Sequence, residues 1–134
     1  MSEFARHIAA VWGRRLAVLA VGLVLAVIVY YGVIFTGQLP DHRLISGWND
    51  TLLHMGSFGL LALLILPLVR RRFVPLLALI IFAAAIEAAQ AFEPQRTASL
   101  SDFAAGLLGI ALSWFFLRAV QTLKSRMSEK SLKT

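Results

Sequence analysis

The sequence contains no cysteine. That excludes a disulfide framework, thiolate metal ligands and a cysteine nucleophile, and leaves no thiols from which to read a redox compartment. Charge is also sparse. Charged residues make up 15% of the chain, and only seven residues are acidic, against ~25% charged in an ordinary soluble domain. No basic patch interleaved with aromatics and no nucleic-acid-binding motif occurs, so the formal net charge of +6 does not point to nucleic acid. An H-E-x-x-H helix and a serine-centred elbow are both missing. The residues call for no cofactor or metal, and no internal repeat is visible.

Apolar residues dominate instead. They make up 59% of the 134 residues, and the mean hydropathy of +0.78 lies outside the range of soluble domains, which is the composition of a membrane protein. Four apolar segments, 16–35, 51–69, 73–92 and 100–117, each approach the ~20 residues that span a hydrocarbon core as a helix. Lipid cannot satisfy backbone polar groups, so each segment is expected to be an α-helix. The fold expected is therefore all-α: one integral membrane domain over residues 1–134, built as a four-transmembrane-helix bundle. Arg14 and Arg15 ahead of the first segment imitate a secretory signal. That segment is longer than a signal h-region, and the TGQLPDH that follows has no small-residue cleavage site, so it is read as a retained helix.

The positive charges are placed unevenly. Arg6, Arg14, Arg15, Arg70, Arg71, Arg72, Arg118, Lys124, Arg126, Lys130 and Lys133 fall on one side of this topology, against Arg43 and Arg96 on the other. The positive-inside rule then predicts a multi-pass protein with both termini cytoplasmic. Aromatics agree with it: Trp12 and Trp114 fall near the inner interface, and Tyr30, Tyr31 and Trp48 near the outer one.

Short linkers, RRR after the second segment and EPQRTAS after the third, predict antiparallel hairpins. Ala83, Ala84, Ala85, Ala88, Ala89 and Ala91 on the third segment, with Ala104, Ala105, Gly106 and Gly109 on the fourth, predict that these two helices form the tight half of the bundle. Pro75 fits a first helical turn, whereas Pro67 should loosen the inner end of the second helix. The tail 124–134 reads as a polar basic end, frayed or lying on anionic lipid.

Against this background the polar residues of 85–102 are conspicuous. Glu87 sits inside an apolar run and is followed by Gln90, Glu93, Arg96 and Asp102. The topology brings Glu87 and Gln90, near the end of the third helix, to the same outer layer as Asp50 and His54 at the start of the second and Asp102 at the start of the fourth. Spacings of i,i+4 for Asp50 and His54 and i,i+3 for Glu87 and Gln90 put each pair on one helical face. An ionised carboxylate in hydrocarbon costs roughly 2.5 kcal/mol or more, so Glu87 must face a bundle interior or wet cavity and find a partner or a proton. Arg96 is the expected countercharge, with His54 as competitor. Ser99 and Asp102 match a capping box opening the fourth helix, and Asp50 suits the N-cap of the second.

The order D-x-x-x-H-x-x-x-F at Asp50, His54 and Phe58, then E-x-x-Q-x-F-x-P-x-R at Glu87, Gln90, Phe92, Pro94 and Arg96, resembles the VanZ-like family. Asp102 and Gly109 continue the match, which covers about 50–117. Two positions depart from the family pattern: Thr51 stands where a lysine usually follows the first aspartate, and Gly106 where an asparagine usually lies four residues after the last. The resemblance implies a small protein of the bacterial cytoplasmic membrane and cell envelope, whose namesake is associated with resistance to the glycopeptide teicoplanin.

Four functional readings follow. In the first, Asp50, His54, Glu87, Gln90, Arg96 and Asp102 form an outward polar pocket for membrane lipids, for a cell-wall precursor or glycopeptide-related ligand, or for another amphiphile. In the second the same site is an enzyme, with His54 and Glu87 as base and acid or as ligands of a metal. The third is a proton-coupled carrier, which four helices without an inverted repeat would support only as an oligomer. The fourth is a structural or assembly protein whose polar cluster glues the hairpin.

Overall fold

Hydropathy marks where a helix can cross a membrane, and backbone hydrogen bonding dictates that the crossing be helical. The computed structural model describes residues 3–31, 49–92 and 99–131, and these are all-helical, with no strand among them. The elements are α1 (Glu3–Val29), α2 (Asn49–Ile65) continued by a 3₁₀ turn (Leu66–Leu68), α3 (Phe73–Gln90) and α4 (Leu100–Ser131). All four helices are long and apolar enough to span a membrane, which makes this a membrane protein by length and composition.

The prolines act at the expected places. Pro67 cannot donate to the helical ladder, and α2 tightens into the 3₁₀ turn that holds it before the chain becomes extended at Val69. Pro75 lies in the first turn of α3, where a missing donor costs little.

Two boundaries depart furthest from expectation. α1 begins at Glu3 rather than 16, and α4 continues to Ser131 rather than ending near 117. The basic tail is thus helical, not frayed, through Ser131. At 1.5 Å per residue, α4 is about 48 Å long, against ~30 Å of hydrocarbon.

The core is organised around α2. Phe58, Leu61, Ala62 and the adjoining Leu66 are fully buried, and Leu79, Ala83 and Ile86 of α3, Ile110 of α4 and Ile28 of α1 close around them. The most extensive interface pairs α2 with α4, not α3 with α4. Thr51 meets Asp102 at one end and Gly59 meets Ser113 further along, so these two helices run parallel.

Glycine makes the close approach possible. A Cβ at Gly109 would fall on the Met55 carbonyl and 3.0 Å from the Gly59 backbone nitrogen, and one at Gly59 would sit 3.3 Å from the Gly109 carbonyl oxygen. The Ser113 hydroxyl donates to the Gly59 carbonyl at 2.8 Å, binding the seam across the helices. By contrast, Ala84, Ala85 and Ala88 of α3 are exposed. Small residues on α3 therefore do not report its tightest contact, and a short loop between α3 and α4 makes them neighbours without making them the closest pair.

Candidate functional site

The site lies where the start of α2, the end of α3 and the start of α4 meet. Helix termini supply its logic, because the first backbone N–H groups of α4 have no partner within the helix and attract carboxylates. Glu87, one turn from the end of α3, answers this need: its Oε2 accepts a 2.9 Å hydrogen bond from the backbone N–H of Ser99, the residue just before α4. Glu87 is 9% exposed. A buried carboxylate from one helix thus caps the next.

This replaces the expected capping box. In that motif the Ser99 hydroxyl and the Asp102 carboxylate would each satisfy backbone donors of their own turn. Here the Ser99 hydroxyl pairs with that of Ser101 at 2.6 Å, and the Asp102 and Phe103 N–H groups both donate to the Ser99 carbonyl at 3.1 Å. The Asp102 carboxylate turns to α2 instead, where Oδ1 accepts the Thr51 hydroxyl at 2.6 Å.

The other Glu87 oxygen, Oε1, lies 3.2 Å from His54 Nε2. The separation suits an ion pair when His54 is protonated. Oε1 is nonetheless buried without a hydrogen bond of acceptable geometry, so the approach to His54 is close but misdirected. Stacking holds the imidazole in this position: the His54 ring lies 6.3 Å from that of Phe58 at an interplanar angle of 17°, and Phe58 packs on Phe82 at 5.7 Å. Phe58 in turn fills the space over Gly106, where a Cβ would meet its ring at 3.1 Å.

The structure therefore brings together His54, Glu87 and the start of α4, and places the Asp102 carboxylate on the neighbouring α2–α4 contact. Gln90 is buried at the end of α3, 4% exposed and with its polar group engaged. Arg96 and the side chain of Asp50 lie outside the described residues, as does Glu93. Sequence reasoning passed over Ser113, and it noted Thr51 and Ser99 without the partners the structure gives them, Asp102 and Glu87. Thr51 and Ser113 carried a visible signal, because a hydroxyl inside an apolar helix needs an acceptor. Both departures from the VanZ-like pattern have local accounts: Thr51 satisfies Asp102, and Gly106 makes room for Phe58.

Beside Glu87 an open groove of about 290 Å³ is lined by Ala84, Glu87, Ser99, Leu100 and Phe103. Its walls are mainly apolar, with Glu87 and Ser99 among the lining residues. Chemically it can shelter a short apolar chain next to Glu87, whose carboxylate forms an ion pair with His54 when the imidazole is protonated. No group of three or more His, Asp or Glu side chains among the described residues is disposed to hold a metal ion. Compared with protein-family models, curated proteins and solved structures, the chain matches none of them.

Proposed function

We propose that this is a VanZ-like protein of the bacterial cytoplasmic membrane, with both termini cytoplasmic, whose groove at Glu87 faces outward and binds the polar head of an amphiphile. A lipid headgroup or a cell-wall precursor has the required chemistry: donor groups for the carboxylate and an apolar chain for the walls formed by Ala84, Leu100 and Phe103. The observation that carries the reading is the groove itself, an open and mainly apolar space lined by Ala84, Leu100 and Phe103 with Glu87 and Ser99 beside them. Arg96, which lies between α3 and α4 in the sequence, is the proposed anion-holding group. The teicoplanin association of the VanZ-like namesake fits an envelope ligand of this kind.

The test is recovery of ligand from the purified protein. Wild type, Glu87→Gln and Phe103→Trp, each checked for folding by thermal unfolding in detergent, are extracted and their bound amphiphiles quantified by mass spectrometry. A bound species present in wild type and depleted in both variants is expected. Equal recovery from all three, or none from wild type, would overturn the proposal. A change in teicoplanin susceptibility on expression, abolished by Glu87→Gln, would link the groove to resistance.

A second reading has its own support: the Glu87–Ser99 and Thr51–Asp102 bonds clasp the helices, as a purely structural cluster would. It expects Glu87→Gln to change stability alone.

A further inference from the structure

The far end of α4 has a feature that topology does not require. The positive-inside rule asks only for charge near the end of a span, and the linker arginines with Arg118 already supply it. Yet helix continues for residues 118–131, about 21 Å beyond the apolar span, and this stretch carries four basic residues against one acid, Glu129. Along it Phe116, Val120, Leu123 and Met127 recur at steps of four, three and four, which aligns them on one face. Leu123 and Met127 are 60% and 72% exposed. At 100° per residue, Lys124 borders the stripe on one side and Arg126 and Lys130 on the other.

We infer that residues 118–131 bind the anionic headgroup layer of the leaflet from which α4 emerges, with Val120, Leu123 and Met127 set into the interface and Lys124, Arg126 and Lys130 reaching lipid phosphates. Three observations select this occupant. The stripe begins at the exposed Phe116 and runs through the half-buried Val120 to the exposed Leu123 and Met127, in line with the lipid-facing surface of the span. The point of emergence is marked by Trp114, an interfacial residue type, with the Arg118 guanidinium 5.2 Å over its ring. Charge is complementary to anionic lipid, whereas a second copy would set Lys124, Arg126 and Lys130 beside their own kind.

Side-chain hydroxyls favour a tilt of this stretch towards the membrane. Thr122 Oγ1 donates to the Arg118 carbonyl at 3.1 Å and Ser125 Oγ to the Thr122 carbonyl at 2.9 Å. Back-bonds of this kind bend helices. Both residues lie roughly opposite the apolar stripe, and a helix curves with its hydrated face convex, so a bend in this sense would tilt Leu123 and Met127 towards the membrane. This inference concerns the opposite end of the molecule from the groove and does not depend on the groove's function.

The chain has no native cysteine, so single probes report cleanly. The full-length variants Leu123→Cys, Met127→Cys, Gln121→Cys and Ser125→Cys are labelled with an environment-sensitive fluorophore. Each is reconstituted in vesicles of zwitterionic phosphatidylcholine, with or without anionic phosphatidylglycerol. Labels at 123 and 127 should shift their emission to the blue when anionic lipid is present, while those at 121 and 125 remain water-like. Adding Lys124→Glu, Arg126→Glu and Lys130→Glu together should abolish the shift. Water-like emission at 123 and 127 in anionic vesicles would overturn the inference, as would a blue shift independent of lipid charge. So would probe-to-probe energy transfer showing that a second copy covers the stripe.

Discussion

The fourth helix has two neighbours and treats them differently. Towards α2 it presents Gly106, Gly109 and Ser113, and the backbones meet so closely that no side chain fits at Gly109. Towards α3 the contact is looser and polar: one carboxylate reaches over to the first turn of α4, and an open groove remains beside it. The difference is instructive because lipid offers no hydrophobic force to press helices together. A membrane bundle must choose between close backbone packing and hydrogen bonds. The α2–α4 seam uses mainly the first, and the α3–α4 seam relies on the second and leaves an open groove.

That contrast can be broken at either seam. The largest effect is expected from Gly109→Ala: its new methyl meets the Met55 carbonyl, and the helices must separate, costing about 3 kcal/mol or more. A fall in the thermal unfolding midpoint in detergent would show it. Next comes Glu87→Ala, which strands the Ser99 N–H at the start of α4 and should cost about 1.5–3 kcal/mol. Glu87→Gln, whose amide oxygen can still accept that bond, should cost clearly less, and equal losses in the two variants would mean that the cap contributes nothing. Ser113→Ala removes one interhelical hydrogen bond from the tight seam and is expected to cost about 0.6 kcal/mol. Smallest of all is Gly56→Ala, where nothing lies within 4 Å of the added carbon. Its stability should stay within about 0.5 kcal/mol of wild type, and a large loss there would mean that the glycine contrast along α2 is misassigned.

The four spans were legible in the sequence because hydropathy measures the cost of putting a segment in lipid, and that cost decides the fold at this level. The second and third segments agree with α2 and α3 to within a few residues, and α4 starts at Leu100 as expected. Hydropathy is silent about helix that continues into water, which is why the extensions of α1 and α4 went unseen. Neither Pro nor Gly follows Gly109 before Ser131, so the stop signals that mark a helix end were absent as well. The convergence of His54 and Glu87 was legible from topology and depth alone. The route of the Asp102 carboxylate was not: a capping box is a local pattern, and the Thr51 hydroxyl that displaces it comes from 51 residues away. Helix pairing failed for a similar reason. Alanines on α3 and glycines on α2 are both small, but only a glycine removes the Cβ where two backbones cross.

The Gly109 contact also constrains how this protein can vary. An alanine there is intrusive at its first added atom, so position 109 has no conservative replacement, and a relative that keeps the α2–α4 pairing must keep glycine opposite Met55. Gly13, Gly22 and Gly56 have open space where their side chains would be and carry no such restriction. Among divergent relatives, then, 109 should be the fixed position while those three drift, and drift at 109 would mark chains whose second and fourth helices have moved apart.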